Sequence, residues 1–216
     1  MLACHHENGV DFILPASQQQ AVAARLPMFA IGRKVSITGA TAVYGSRDES
    51  IASGRMAQDQ QRSLSIEPTS TQPESTEWIN DWRRDDLCLP LPWIGPPSSE
   101  QFLPQSLGLE AIGGLSHRKG CYPGQEIIAR VHYLGKPKYQ LLGFRFESDG
   151  EPPAEGDTLT TDDGESAGRV IDALRHAEGC IGLAVSPTRI ETGCRVRRDS
   201  RPDGPPGQMT AADGLC

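Results

Sequence analysis

The C-terminal third of the chain constrains the fold most. Between Lys138 and Arg198 it offers "YQLLGFRF", "DTLTT", "SAGRVIDAL", "GCIGLAV" and "CRVRR", runs that alternate or stay apolar, broken by "SDGEPPAEGD" and "DDGE". Short strands spaced evenly between turn-rich breaks are the pattern of a small antiparallel barrel, which hides its own edges. A β-barrel over 138–198 is therefore expected. The remaining "DSRPDGPPGQMTAADGLC" has almost no apolar content, so 199–216 is expected to be a disordered tail.

Upstream the period changes. "VDFILP", from Val10 to Pro15, reads as a strand. "ASQQQAVAARLPMF" has apolar residues at 21, 22, 26 and 29, near helical spacing, with Ser17 available as N-cap. "KVSITGATAVYG" reads as a second strand. Strand, helix and strand make half of an α/β sandwich, and 1–45 is read as the remnant of a first α/β domain. Residues 46–77 turn polar, with only "LSI" at Leu64 to Ile66 as a strand-like island, and are read as a connection. In 78–137, a second α/β region, Trp78, Ile79, Trp82 and Leu87 suit one helical face, ended by Pro90 and Pro92.

Composition excludes several classes. A length of 216 residues allows one large domain or two small ones, and 21 basic against 28 acidic residues give a net charge of -7, so direct binding to nucleic acid is not expected. The longest apolar runs, such as "CIGLAV", fall far short of the roughly 18 residues a membrane helix needs, and no membrane association is expected. The start "MLACHHENG" lacks the basic and apolar regions of a secretory signal, which makes a cytoplasmic monomer the expectation. Six cysteines, at 4, 88, 121, 180, 194 and 216, show neither C-x-x-C pairs nor repeated spacing; they are read as thiols, with no zinc site or disulfide framework.

The chemistry concentrates in "HRKGCYPGQEIIARVHY", His117 to Tyr133. A thiol reacts as thiolate, which nearby cations and a helix N-terminus favour. Arg118 and Lys119 precede Cys121, and "PGQEIIARVHY" can begin a helical turn just after it. Gly120 and Gly124 permit positive φ and close approach of a ligand, while Gln125 and Glu126 offer paired donors and acceptors. Arg130 stands four residues after Glu126, the spacing of a weak helical ion pair. The plainer alternative is a proline-glycine turn with solvated charges. His117 and His132 flank Cys121 at spacings that match no metal motif, and no metal is expected to be held by this chain alone.

The stretch from Ser99 to Leu141 closely resembles the signature region of the YgfZ-type folate-binding proteins, relatives of the glycine cleavage T-protein, an aminomethyltransferase. Their hallmark K-G-C-Y-x-G-Q-E followed by A-R is complete here as Lys119, Gly120, Cys121, Tyr122, Pro123, Gly124, Gln125 and Glu126 with Ala129 and Arg130, and the upstream "FLPQ" fits as well. The resemblance implies an α+β fold: incomplete ferredoxin-like α/β sandwich regions of a GcvT/YgfZ-like ring, followed by the small antiparallel barrel. It also implies a tetrahydrofolate-sized cavity and a role in making or repairing iron-sulfur enzymes, a tRNA-modifying one among them. Two departures stand out. Family members usually carry a further segment before "VDFILP", and "LCLPLPW" places Cys88 where a small residue is usual.

The expectation drawn from the resemblance is a tetrahydrofolate-binding accessory factor for iron-sulfur enzymes, with those client enzymes or assembly proteins as partners and no classical turnover reaction. In that reading Cys121 is the functional thiol and Lys119 tunes it. Tyr122, Gly124, Gln125, Glu126 and Arg130 contact folate or organise the loop. Trp82, at the distance before Cys121 where the family places a cavity tryptophan, stacks on the pterin, whereas Trp78 and Trp93 are structural. Two alternatives are a folate-dependent aminomethyltransferase-like enzyme, disfavoured because the T-protein lacks this cysteine signature, and an inactive N-terminally truncated fragment.

Overall fold

The computed structural model describes residues 2–39, 43–47, 55–56, 59–65, 75–148, 151–177 and 179–215. They fall into two compact units, Met1–Glu74 with Trp93–Pro96, and Ser75–Pro92 with Pro97–Cys216.

The first unit opens with a hairpin of β1 (Leu2–His6) and β2 (Gly9–Ile13), paired antiparallel from Leu2↔Ile13 to His6↔Gly9. A 3-10 turn at Ala16–Gln18 leads into α1 (Gln19–Arg25), and a second one follows at Leu26–Phe29. Ser17 is not the helix cap: Gln18 holds that position and its side chain makes no capping bond, because the 3-10 turn already supplies the entry. The expected strand over "KVSITGATAVYG" is confined to its end. Lys34–Gly39 carry no regular structure, 40–42 lie outside the described residues, and β3 is Tyr44–Ser46.

The polar stretch after it contains two further strands, β4 (Arg55–Met56) and β5 (Asp59–Ser65), in a three-stranded antiparallel sheet of order β3-β5-β4. Leu64 of the strand-like island lies on β5, and Ile66 lies outside the described residues. Hairpin and three-stranded sheet are separate, so β2 and β3 do not flank α1 in one sheet.

The second unit begins with α2 (Thr76–Cys88), capped by Ser75, whose Oγ accepts from the Trp78 N–H at 3.2 Å. Leu87 is fully buried on it, and Trp78 and Trp82 are half-buried, but Ile79 is 47% exposed and does not share the buried face. Cys88, read above as a thiol, is disulfide-bonded. Turns and irregular chain then lead to α3 (Gln125–Leu134).

The barrel follows: β6 (Tyr139–Phe146), β7 (Thr158–Thr160), β8 (Ser166–His176), β9 (Gly179–Pro187), β10 (Arg195–Arg198) and β11 (Gly207–Thr210), closed in the order β10-β11-β6-β9-β8-β7. Leu142, Phe144, Phe146, Leu159, Val170, Val196 and Met209 fill its interior. Phe144 and Phe146 meet edge to face with centroids 5.9 Å apart. Gly182 pairs with Phe144, and a Cβ there would stand 2.4 Å from the ring; only glycine leaves the space the ring occupies. A register shift on β8 between Val170 and Asp172 changes which side chains face inward. Val170 and Ala173 join the core, while the Asp172 carboxylate meets Arg83 of α2 at 2.5 Å, and the same guanidinium donates to the Ala173 carbonyl at 3.2 Å.

The expectation of a disordered tail is overturned. β11 pairs with β10 on one side and β6 on the other, Met209 and Leu215 are each 1% exposed, and Arg145 Nη2 donates to the Leu215 carbonyl at 2.7 Å. Two apolar side chains at the right positions suffice, because the neighbouring strands provide the rest of the burial and the backbone partners. The barrel therefore extends from Tyr139 to Thr210, beyond the expected boundary at 198. Among the described residues no helix is long and apolar enough to cross a membrane.

Candidate functional site

The motif forms the approach to α3. Gly124 sits just before the helix with φ at 84°, a left-handed conformation that explains the glycine there. Gln125 then folds back: its Oε1 accepts from the Tyr122 N–H at 3.2 Å, while its own N–H donates to the Tyr122 carbonyl at 3.3 Å. These reciprocal bonds close the Tyr122–Gln125 turn, so Gln125 organises the loop. Upstream, Gln105 of "FLPQ" donates from Nε2 to the Ile128 carbonyl at 2.8 Å and fastens α3 from outside the motif. The sequence signal for Gln105 was its match to the family pattern, not its polarity.

Cys121 is an exposed free thiol on this loop. Lys119 Nζ lies 4.6 Å from the centroid of the Tyr122 ring, a cation-π contact that fixes where its charge points. Glu126 and Arg130 are exposed, and no ion pair joins them among the described residues. Trp82 lies on α2, stacked on Trp78 with centroids 5.2 Å apart and planes at 29°.

A groove of about 500 Å³ lies elsewhere in this unit, with Phe102, Leu103, Val131, Lys138, Tyr139 and Arg169 in its wall. None of Trp82, Cys121, Tyr122, Gly124, Gln125, Glu126 or Arg130 lines it. The structure thus brings Lys119, Cys121, Tyr122, Gly124 and Gln125 into one turn, but not Trp82 and the motif into one cavity.

A second cluster borders the motif. Glu110 Oε1 lies 3.2 Å from His117 Nε2 and 2.6 Å from His132 Nδ1. The two imidazoles stack with centroids 3.8 Å apart and planes at 19°, and the Tyr133 ring meets both edge-on. Glu110 could not be found from spacing, since it lies 7 residues before His117 and 22 before His132. On the barrel side, burial pushes the Asp172 carboxyl above its ordinary range, against the opposing pull of the Arg83 guanidinium and the Ala173 N–H.

Comparison with known proteins follows the motif. No family model matches the chain. The tRNA-modifying protein YgfZ of Edwardsiella ictaluri is 35% identical over 125 residues, 56% of this chain and 38% of that one. The YgfZ of Yersinia enterocolitica is 37% identical over 128 residues, 55% of this chain and 38% of that one. The protein of the same name from Vibrio atlanticus is 25% identical over 231 residues, covering 92% of this chain and 71% of the relative. The chain is similar to the YgfZ proteins. Its match spans less than two fifths of the length of the first two of these relatives. Among solved structures, the glycine cleavage system aminomethyltransferase T of Bartonella henselae aligns at a TM-score of 0.34 and 16% identity, over 42% of this chain and 25% of that one, too slight a likeness to bear on the fold. What joins the chain to YgfZ is its sequence.

Proposed function

We propose that this chain serves, as the name of its YgfZ relatives suggests, in tRNA modification, as a tetrahydrofolate-binding accessory factor for the synthesis or repair of iron-sulfur enzymes. The observation that carries this reading is the complete K-G-C-Y-P-G-Q-E loop, with Cys121 held exposed by the Tyr122–Gln125 turn. A fixed, accessible thiol suits transient exchange with a partner's sulfur or metal centre. Lys119 orders Tyr122 against the loop, and Gln125 holds the turn. Glu126 and Arg130, exposed on α3 and not paired with each other, would meet folate's polar groups in this reading. Trp82, stacked on Trp78 and not in one cavity with the motif, would have to meet the pterin by a rearrangement that folate binding brings about. A net charge of -7 favours action on tRNA through client enzymes in the cytoplasm rather than through direct contact with its phosphates.

The test pairs binding with rescue. Tetrahydrofolate titrated into the purified chain and followed by calorimetry should bind at one site, and Trp82→Ala should weaken it by about 1–3 kcal/mol, the range for loss of base-aromatic stacking. In cells defective in iron-sulfur enzyme maintenance the parent chain should restore the client activity and Cys121→Ser should not. Absence of folate binding removes the cofactor from the reading, and full rescue by Cys121→Ser removes the thiol.

A further inference from the structure

We propose that Glu110, His117 and His132 form a binding site for one divalent transition ion of the Zn2+ class. The site is distinct from the Cys121 loop and does not depend on the folate reading. Three residues apart in sequence bring one carboxylate oxygen and two imidazole nitrogens within 4.8 Å of one another, and the stacked imidazoles would have to turn out of parallel to share an ion. The separations are close to those a metal imposes. Ligands about 2.0–2.1 Å from a tetrahedral zinc stand about 3.3–3.4 Å apart. Glu110 and His117 already stand 3.2 Å apart, and the 2.6 Å between Glu110 and His132 needs only a modest opening.

The side chains that must move are free to do so. Glu110 and His132 are 40% and 34% exposed, while His117, at 14%, is the anchored member. The Tyr133 ring braces both imidazoles from the side. Among the described residues no lysine or arginine forms an ion pair with Glu110, so no fixed cation competes for its oxygen. In the structure these contacts are those of imidazole N–H groups donating to the carboxylate, and a metal ion that displaced the two protons would take the same three atoms as ligands.

The donor chemistry narrows the ion. Two nitrogens and one oxygen suit zinc, iron(II), cobalt(II) or nickel(II), whereas calcium and magnesium prefer all-oxygen shells. Three protein ligands at an exposed position leave at least one coordination place for water or an incoming group, unlike a closed structural zinc site. His117 coordinates through Nε2 and His132 through Nδ1, the atoms that face Glu110.

The experiment uses the whole chain, stripped of metal, with Co2+ as the visible probe and Zn2+ as competitor. His5 and His6 offer an unrelated pair of imidazoles near the N-terminus, so all titrations are done in a His5→Ala/His6→Ala background. The expected result is one equivalent of Co2+ with d–d absorption, displaced by Zn2+. His117→Ala, His132→Ala and Glu110→Gln should each weaken uptake at least tenfold, while His176→Ala leaves it unchanged. Should a variant fail to fold, nitrogen NMR of the parent decides instead: Zn2+ must shift the His117 and His132 ring signals together and leave His176 in place. No uptake, or uptake that is indifferent to all three substitutions, overturns the proposal, as does a titration that moves neither ring.

Discussion

The barrel and the N-terminal unit both carry large apolar side chains and use them very differently. Inside the barrel Phe144, Phe146, Leu159 and Met209 are at most 1% exposed. In the first unit Met28, Phe29, Ile31 and Val35 are between 58% and 85% exposed, and Ile13 is its one buried hydrophobic among the described residues. The difference lies in what each local pattern can close. Six strands that meet around a ring satisfy every edge and bury one face of each strand, whereas a two-stranded hairpin and a three-stranded sheet leave faces and edges open. Apolar content alone does not make a core; the barrel shows that closure does.

That contrast can be broken most directly with the same substitution in both regions. Phe144→Ala should cost about 3–5 kcal/mol, the range for a fully buried phenylalanine, and lower the midpoint of barrel unfolding accordingly. Phe29→Ala, at a side chain 58% exposed, should stay within about 0.5 kcal/mol. Near-equal losses in urea titrations would mean that the first unit is packed as tightly as the barrel.

Met209 sharpens the boundary of the barrel. Met209→Ala should cost about 2–5 kcal/mol because its side chain lies in the barrel core. A loss within about 0.5 kcal/mol, the usual surface value, would return 199–216 to a loose tail.

Asp172 gives a smaller, pH-dependent effect where α2 meets the barrel. Its carboxyl is raised in the fold, so the native state binds the proton more readily than the unfolded chain does. Its contribution to stability is therefore greatest below the ordinary carboxylate range and declines as pH rises through the raised value. Asp172→Asn should remove that slope on the alkaline side of the ordinary carboxylate range and change stability at pH 7 by less than about 1 kcal/mol, since Arg83 is 42% exposed and can turn to water. Equal slopes for mutant and parent would show that Asp172 does not titrate differently on folding.

The alternation in "YQLLGFRF" and the apolar run "GCIGLAV" made the barrel legible, since both are patterns that only strand pairing satisfies. Its last strand was not, because Met209 is the sole large apolar residue of β11 and its burial comes from β6 and β10. Likewise α2 was visible from its apolar spacing, but Asp59–Ser65 was not, because a strand of polar residues carries no period to read. At the candidate site the motif pointed to the stretch that folds into one turn around Cys121, Gly124 and Gln125. The contacts of Gln105 and Glu110 exist only after the chain has turned back on itself; Gln105 was flagged by the family pattern alone, and Glu110 by no local pattern.

The order β10-β11-β6 has a kinetic consequence. The pairs β7–β8, β8–β9 and β10–β11 join neighbours in sequence, while β11–β6 and β10–β7 join segments far apart. Closing distant loops is slower than forming hairpins, so the seam at β6 is sealed last. Until then the hydrogen-bonding edge from Gly143 to Arg145 is open to any passing strand, and a crowded refolding mixture should form intertwined dimers through that seam. Refolding yield should therefore fall with protein concentration, and a stopped-flow trace should show a late phase in which amides along β6 first become protected from exchange.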